Sequence, residues 1–159
     1  MDAASAPEDA QPAPPSGPPA GATPRLFTVA EANRLLPYLR AALGDARGHL
    51  ADLRRCREEM LGLEAVGAAA DGTLILAADH RAAARRGAQA RERLERVLAD
   101  IAERGCQVKD LATGLCDFPA EVEGQAVLLC WRIDEEAVTF LHGPTDGFRG
   151  RRPIPPGTP

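Results

Sequence analysis

From Leu36 onward the chain sets down an apolar residue every three or four positions: Leu36, Leu39, Leu43, Ala46, Leu50, Leu53 and, after Arg57, Met60. That spacing lines one face of an α-helix. Thr28-Val29-Ala30-Glu31 marks its start with capping-box spacing, in which the Thr hydroxyl accepts from the Glu amide and the Glu side chain reaches back. Pro37 lies too deep to be a first-turn proline, so a kink is expected there, or a short helix running into a longer one. Gly62 and Gly67 mark the expected end, and the Gly/Ala-rich stretch 67–72 turns the chain. A second helix is expected from about Thr73 to Arg104. Its stripe is His80, Ala83, Gly87, Ala90, Leu94, Val97 and Ile101, a regular alternation of three and four. Small residues in its middle let two helices approach closely, and the period suits a left-handed, coiled-coil-like crossing. Gly105 fits the residue just past a helix end.

Beyond Gly105 the period shortens to that of strands. Gln107–Leu111 and Leu115–Pro119 flank the turn Ala112-Thr113-Gly114. A loop at Glu123-Gly124 leads into Ala126–Ile133, and Asp134-Glu135 turns the chain back along Glu136–His142. With a two-residue turn, Trp131 opposes Val138, Leu129 opposes Phe140 and Val127 opposes His142. This register gathers the large apolar side chains on one face and sends Cys130 to the other, away from His142. A Cys130–His142 nucleophilic pair is rejected on that ground.

The expected fold is α+β: a long antiparallel two-helix hairpin followed by a small antiparallel β-sheet. The expected divisions are a disordered tail over 1–25, the hairpin over 26–104, the sheet over 105–145 and an irregular arm over 146–159. The tail follows from composition, since residues 1–24 hold seven of the fourteen prolines and no aromatic residue. Two helices with one narrow stripe each make a weak core, so a homodimer is expected, with hairpins pairing into a four-helix arrangement.

Charge narrows the partners. The net charge is −4, and the 13 arginines of residues 28–104 are balanced by 12 acids. Many of them fall in i,i+4 pairs such as Arg54–Glu58, Arg55–Glu59, Glu92–Arg96 and Asp100–Arg104, the pattern of a solvated helix face. Neither nucleic acid nor a membrane is an expected partner, and no apolar run approaches the ~20 residues of a membrane span. Without an export signal the protein is expected in the cytoplasm, its four cysteines reduced and buried as small hydrophobes. No C-x-x-C pair or paired-histidine spacing suggests a zinc site.

Several segments together resemble a bacterial family catalogued as domain of unknown function 2203. They are Phe27–Pro37 (FTVAEANRLLP), Val108–Leu111 (VKDL), Gly114–Ala120 (GLCDFPA), Leu128–Arg132 (LLCWR), Phe140–His142 (FLH) and Gly147–Ile154 (GFRGRRPI). The resemblance covers roughly residues 26–154. Asp134-Glu135 departs from the expected Gly-Glu, and Leu141 stands where an aromatic residue is usual. The resemblance implies no activity.

The polar residues within those segments are Asp110, Asp117, Cys130, Arg132, Glu135, His142, Asp146, Arg149 and Arg151. The candidate ligand or metal patch comprises Asp110, Asp117, Glu135, His142, Asp146, Arg149 and Arg151, centred on Asp117, His142 and Asp146. Two carboxylates and an imidazole suit a divalent metal or acid–base work. In the plainer reading His142 bonds a carboxylate to lock the last strand, and Arg151 docks the arm on an acidic sheet edge. His80 reads as a packing residue bonded across the hairpin, and Trp131 as the anchor of the sheet. The leading expectation is a non-enzymatic, self-associating hairpin that binds a protein partner. The alternative is a small-ligand or divalent-metal protein, either a binder or an enzyme, with its site in the C-terminal third. No cofactor, substrate or pathway is specified by the residues.

Overall fold

The computed structural model describes residues 25–159 apart from Asp71 and Gly72, and no side chain in the range 65–76. The tail expected over 1–24 lies outside the described residues. The chain forms helices α1 (Val29–Ala70) and α2 (Thr73–Glu103). Strands β1 (Gln107–Asp110), β2 (Leu115–Val122), β3 (Gln125–Arg132), β4 (Phe140–His142) and β5 (Arg152–Pro153) follow. A 3-10 turn over Phe148–Gly150 precedes β5.

The capping box forms at the start of α1. The Glu31 amide donates to Thr28 Oγ1 at 3.1 Å, and the Thr28 amide donates to Glu31 Oε2 at 2.9 Å. At 42 residues α1 is roughly 63 Å long, taking about 1.5 Å per residue. Three sequence expectations need correction here. Pro37 does not divide α1 into two helices, the second of the two outcomes expected of it; its ring lies on the exposed side while Leu36 and Leu39 beside it are buried in the core. Neither Gly62 nor Gly67 ends it, since a glycine costs only about 1 kcal/mol inside a helix held by a partner. Residues 67–70 of the expected connection belong to α1, and Asp71 and Gly72 lie outside the described residues.

The stripe of α2 meets α1 as its period requires: Ala83, Gly87, Ala90, Leu94 and Ile101 are buried. A Cβ at Gly87 would stand 3.4 Å from the Cys56 Cβ, so the helices approach closely there. His80 bonds across the hairpin, its Nε2 lying 2.9 Å from Glu64 Oε1. The surface pairs differ in part from the i,i+4 expectation. Glu92–Arg96 forms, but Arg55 pairs with Asp52, Glu59 pairs with Arg86 across the hairpin, and Arg104 bonds the Asp100 carbonyl. Beyond Arg47, α1 meets α2 at Glu59–Arg86, at Glu64–His80 and in the close approach of Cys56 to Gly87.

Gly105 closes α2 at φ +89°, a left-handed conformation that suits glycine. The five strands then run as an antiparallel meander in the order β1-β2-β3-β4-β5. Alternate residues of the sheet, Cys116, Phe118, Ala120, Val127, Leu129 and Trp131, are buried against Ala32, Leu36, Leu39 and Leu43 of α1 and Ile101 of α2. Trp131 is fully buried and donates its indole N–H to the Glu135 carbonyl at 2.9 Å. Segment 146–159, expected to be irregular, contributes β5, which pairs with β4 at Phe140 and Leu141.

The register of β3 on β4 overturns the expected one. Leu128 opposes His142, Leu129 opposes Leu141 and Cys130 opposes Phe140. The chain turns at Arg132–Glu135, where the Glu135 amide donates to the Arg132 carbonyl at 2.8 Å, but the strand expected from Glu136 does not follow: residues 136–139 are irregular, and β4 begins only at Phe140. Arg40 donates to the carbonyls of Glu135 and Glu136, and the Val138 amide donates to Asn33 Oδ1 at 2.9 Å. Val138 therefore reaches the core from the connection, not from the strand, and Leu141 replaces Phe140 on the inner face. The one-residue slip sends every β4 side chain to the face opposite the one expected.

Candidate functional site

That slip brings Cys130 and His142 to one face, the reverse of the geometry on which the pair is rejected from sequence. Asp117, directly opposite Cys130 on β2, completes a group of three. One donor atom from each, Cys130 Sγ, a carboxylate oxygen and an imidazole nitrogen, lies within 4.8 Å of the others. Relative exposures are 2% for Asp117, 0% for Cys130 and 3% for His142. Asp117 and His142 are the buried polar residues of the described chain, and they sit together.

The hydrogen bonds fix the imidazole. His142 Nδ1 lies 2.8 Å from the Gly143 carbonyl, which can only accept, so Nδ1 carries the proton. Nε2 then faces Asp117 Oδ2 at 3.3 Å. In a neutral imidazole with an ionised carboxylate those are two lone-pair atoms, and a proton or a cation between them is needed to make the approach favourable. A backbone-anchored Nδ1–H with Nε2 turned to its ligand is the usual arrangement of a metal-binding histidine. Asp117 Oδ1 is buried with no hydrogen-bond partner, a position at which a donor or a cation would be favourable.

Burial, and next the charge of Asp117, pushes the Cys130 thiol up to about 12. At neutral pH it keeps its proton and is not an activated nucleophile. Nor do the residues compose a catalytic triad. One imidazole nitrogen is taken by a backbone carbonyl, leaving none to hold a carboxylate while the other draws a proton from sulfur. Thiol, carboxylate and imidazole converging on one buried point are donor types that could hold a metal ion, the thiol giving up its proton if one bound.

The other candidate residues are placed elsewhere. Asp110 closes the β1–β2 turn, accepting from the Ala112 amide and the Thr113 hydroxyl, each at 2.8 Å. Those bonds, the Thr113 one first, hold its carboxyl below the usual range. Asp146 is exposed and accepts from the Gly143 amide at 3.0 Å, so it fixes the residue whose carbonyl orients His142 without joining the group. Arg149 is exposed. Arg132 pairs with Asp134. Glu135 and Arg151 stand beside Cys130: Arg151 Nη2 reaches both Glu135 carboxylate oxygens at 2.7 Å and the Cys130 carbonyl at 3.3 Å. In sequence Val138 and Phe140 alternate as a core-facing strand would, so the residues carry no signal for the register that places Cys130 here.

A family model described as "Uncharacterized conserved protein (DUF2203)" matches residues 25–154. Neither a curated protein nor a solved structure matches the chain.

Proposed function

The chain belongs to the DUF2203 family, and we propose that it binds a divalent transition-metal ion through Asp117, Cys130 and His142. The observation that carries this reading is the convergence of three buried donor atoms within 4.8 Å, one of them beside an unpartnered carboxylate oxygen. The Nε2–Oδ2 separation of 3.3 Å supports it. Two ligands at about 2.0–2.1 Å from one tetrahedral ion lie about 3.3 Å apart. Donor chemistry selects the ion. A thiolate and an imidazole favour zinc, cobalt or ferrous iron over magnesium and calcium, which prefer oxygen. Charge agrees: thiolate, carboxylate and neutral imidazole with a doubly charged ion sum to zero, as a buried site requires.

Elemental analysis of untagged protein, and titration of metal-free protein with cobalt(II), test the reading. One equivalent should bind with a sulfur-to-cobalt absorption band that disappears in Cys130→Ser and weakens strongly in His142→Ala. Saturating cobalt without a Cys130-dependent band would refute it.

A second reading concerns the far half of the hairpin. Leu50, Leu53 and Met60 are half-buried there and Leu61 is 56% exposed, which supports self-association of two hairpins into a coiled-coil-like four-helix arrangement, or docking of a partner protein. Light scattering should return twice the chain mass; a monomer at micromolar concentration removes the homodimer. Four free, buried cysteines support a reducing compartment such as the cytoplasm. Among the described residues no helix is long and apolar enough to cross a membrane.

A further inference from the structure

We infer that the segment Phe148–Ile154 is a movable cover over Cys130 and its neighbours, latched by Arg151; the inference rests on the metal reading for its purpose, though not for its test. The outer face of a sheet with helices on one side is ordinarily open to water. Here Asp117, Cys130 and His142 lie on that face and are nonetheless almost wholly buried. The Arg151 guanidinium lies over the spot. It bonds the Cys130 carbonyl, lies 4.4 Å from the ring centre of Phe140, the register partner of Cys130, and lies 4.9 Å from that of Phe148. Glu135 holds it by two short bonds, and its Nε is buried without a partner.

The other restraints on the segment lie at its far end: β5 pairs with β4 at two residues, the Ile154 amide donates to the Thr139 carbonyl at 3.0 Å with Ile154 packed on the core, and the Val29 amide holds the Pro159 carbonyl at 2.8 Å. Toward Gly147 the chain is held only lightly, residues 144–149 being exposed. Segments with few buried contacts open at low free energy while the core stays closed. Gly147, at φ +61°, offers a pivot. An ion bound for Cys130 passes only when this segment lifts, so the Arg151–Glu135 pair sets the rate of uptake and loss.

The test is alkylation of metal-free, full-length protein by N-ethylmaleimide, with each labelled cysteine read by peptide mass. Cys106 and Cys116 are buried in the core shared with the hairpin, and so serve as internal controls for global unfolding. In Arg151→Gln and in Glu135→Gln, Cys130 should label at least about tenfold faster than in wild type, the loss expected for a charge-assisted bond, with Cys106 and Cys116 unchanged. An unchanged Cys130 rate overturns the cover. So does equal acceleration at all three thiols, which would mean that Cys130 is reached only by unfolding. With cobalt bound, transfer to a chelator should quicken in the same variants, and equal rates would remove the latch role. If no cobalt binds, the metal reading fails and the labelling alone decides the cover.

Discussion

Asp117 and His142 touch across an intervening strand: β2 and β4 flank β3, and the 3.3 Å contact between their side chains spans the position of Cys130. Both are removed from water, so each is the other's chief compensation. Removing either alone, as in Asp117→Ala or His142→Ala, should destabilise metal-free protein by about 1–3 kcal/mol, because the remaining polar group is left buried and unpaired. Replacing both by apolar residues should cost less than the sum of the two single changes. Urea unfolding followed by fluorescence of Trp131, the chain's one tryptophan, measures all three. Strict additivity would deny the pairing.

Metal should stabilise the folded chain by mass action. At a free cobalt concentration a hundredfold above Kd the gain is about 2.7 kcal/mol, visible as a rise in thermal midpoint. It should vanish in Cys130→Ser and reverse on adding a chelator. An equal rise in that variant would place the ion elsewhere.

Acid should weaken the fold through carboxyls remote from the trio. Thr28 holds Glu31 below its usual 4.5, its amide contributing more than its hydroxyl, and Thr113 holds Asp110 below its usual 3.8. A lowered folded pKa means that the unfolded chain takes up protons first as pH falls. The stability these groups supply is present above the unfolded values and is lost as pH drops through the folded ones. Unfolding free energy should therefore decline below about pH 4.5, and Asp110→Asn should shallow that decline. An identical slope in wild type and variant would show that Asp110 contributes nothing.

Pro37→Ala should stabilise the protein. The proline withdraws one helical donor inside α1 from an exposed position, which costs up to about 3 kcal/mol against alanine. Greater freedom of the unfolded alanine chain returns about 0.4–1 kcal/mol of that. A rise of roughly 2 kcal/mol in denaturant unfolding is expected, and a fall would mean that the proline shapes the helix as the sheet requires.

Gly114→Ala should do the opposite. Gly114 turns β1 into β2 at φ +67°, and a Cβ there would lie 2.7 Å from the Ile133 Cβ. Left-handed strain and the clash together should cost at least about 1–2 kcal/mol, again by urea unfolding. No loss would mean that the turn relaxes freely.

The residues of this chain determined by themselves whatever depends on local spacing. The capping box from Thr28 to Glu31, the seam from Leu36 to Ile101, the break at Gly105 and the strand character beyond it follow from contacts within one or two turns. His80 and Trp131 were legible for the same reason: each sits on a face that its own element defines. The register of β4 was decided only in three dimensions. Arg40 and Asn33, about a hundred positions away in the chain, bind the backbone of residues 135–138 and let Val138 enter the core from a connection. Alternation counts residues along a strand and cannot register a partner that arrives from a helix. That one-residue displacement set His142 on the face that Cys130 and Asp117 already share, while Asp146 sits in the turn that holds Gly143.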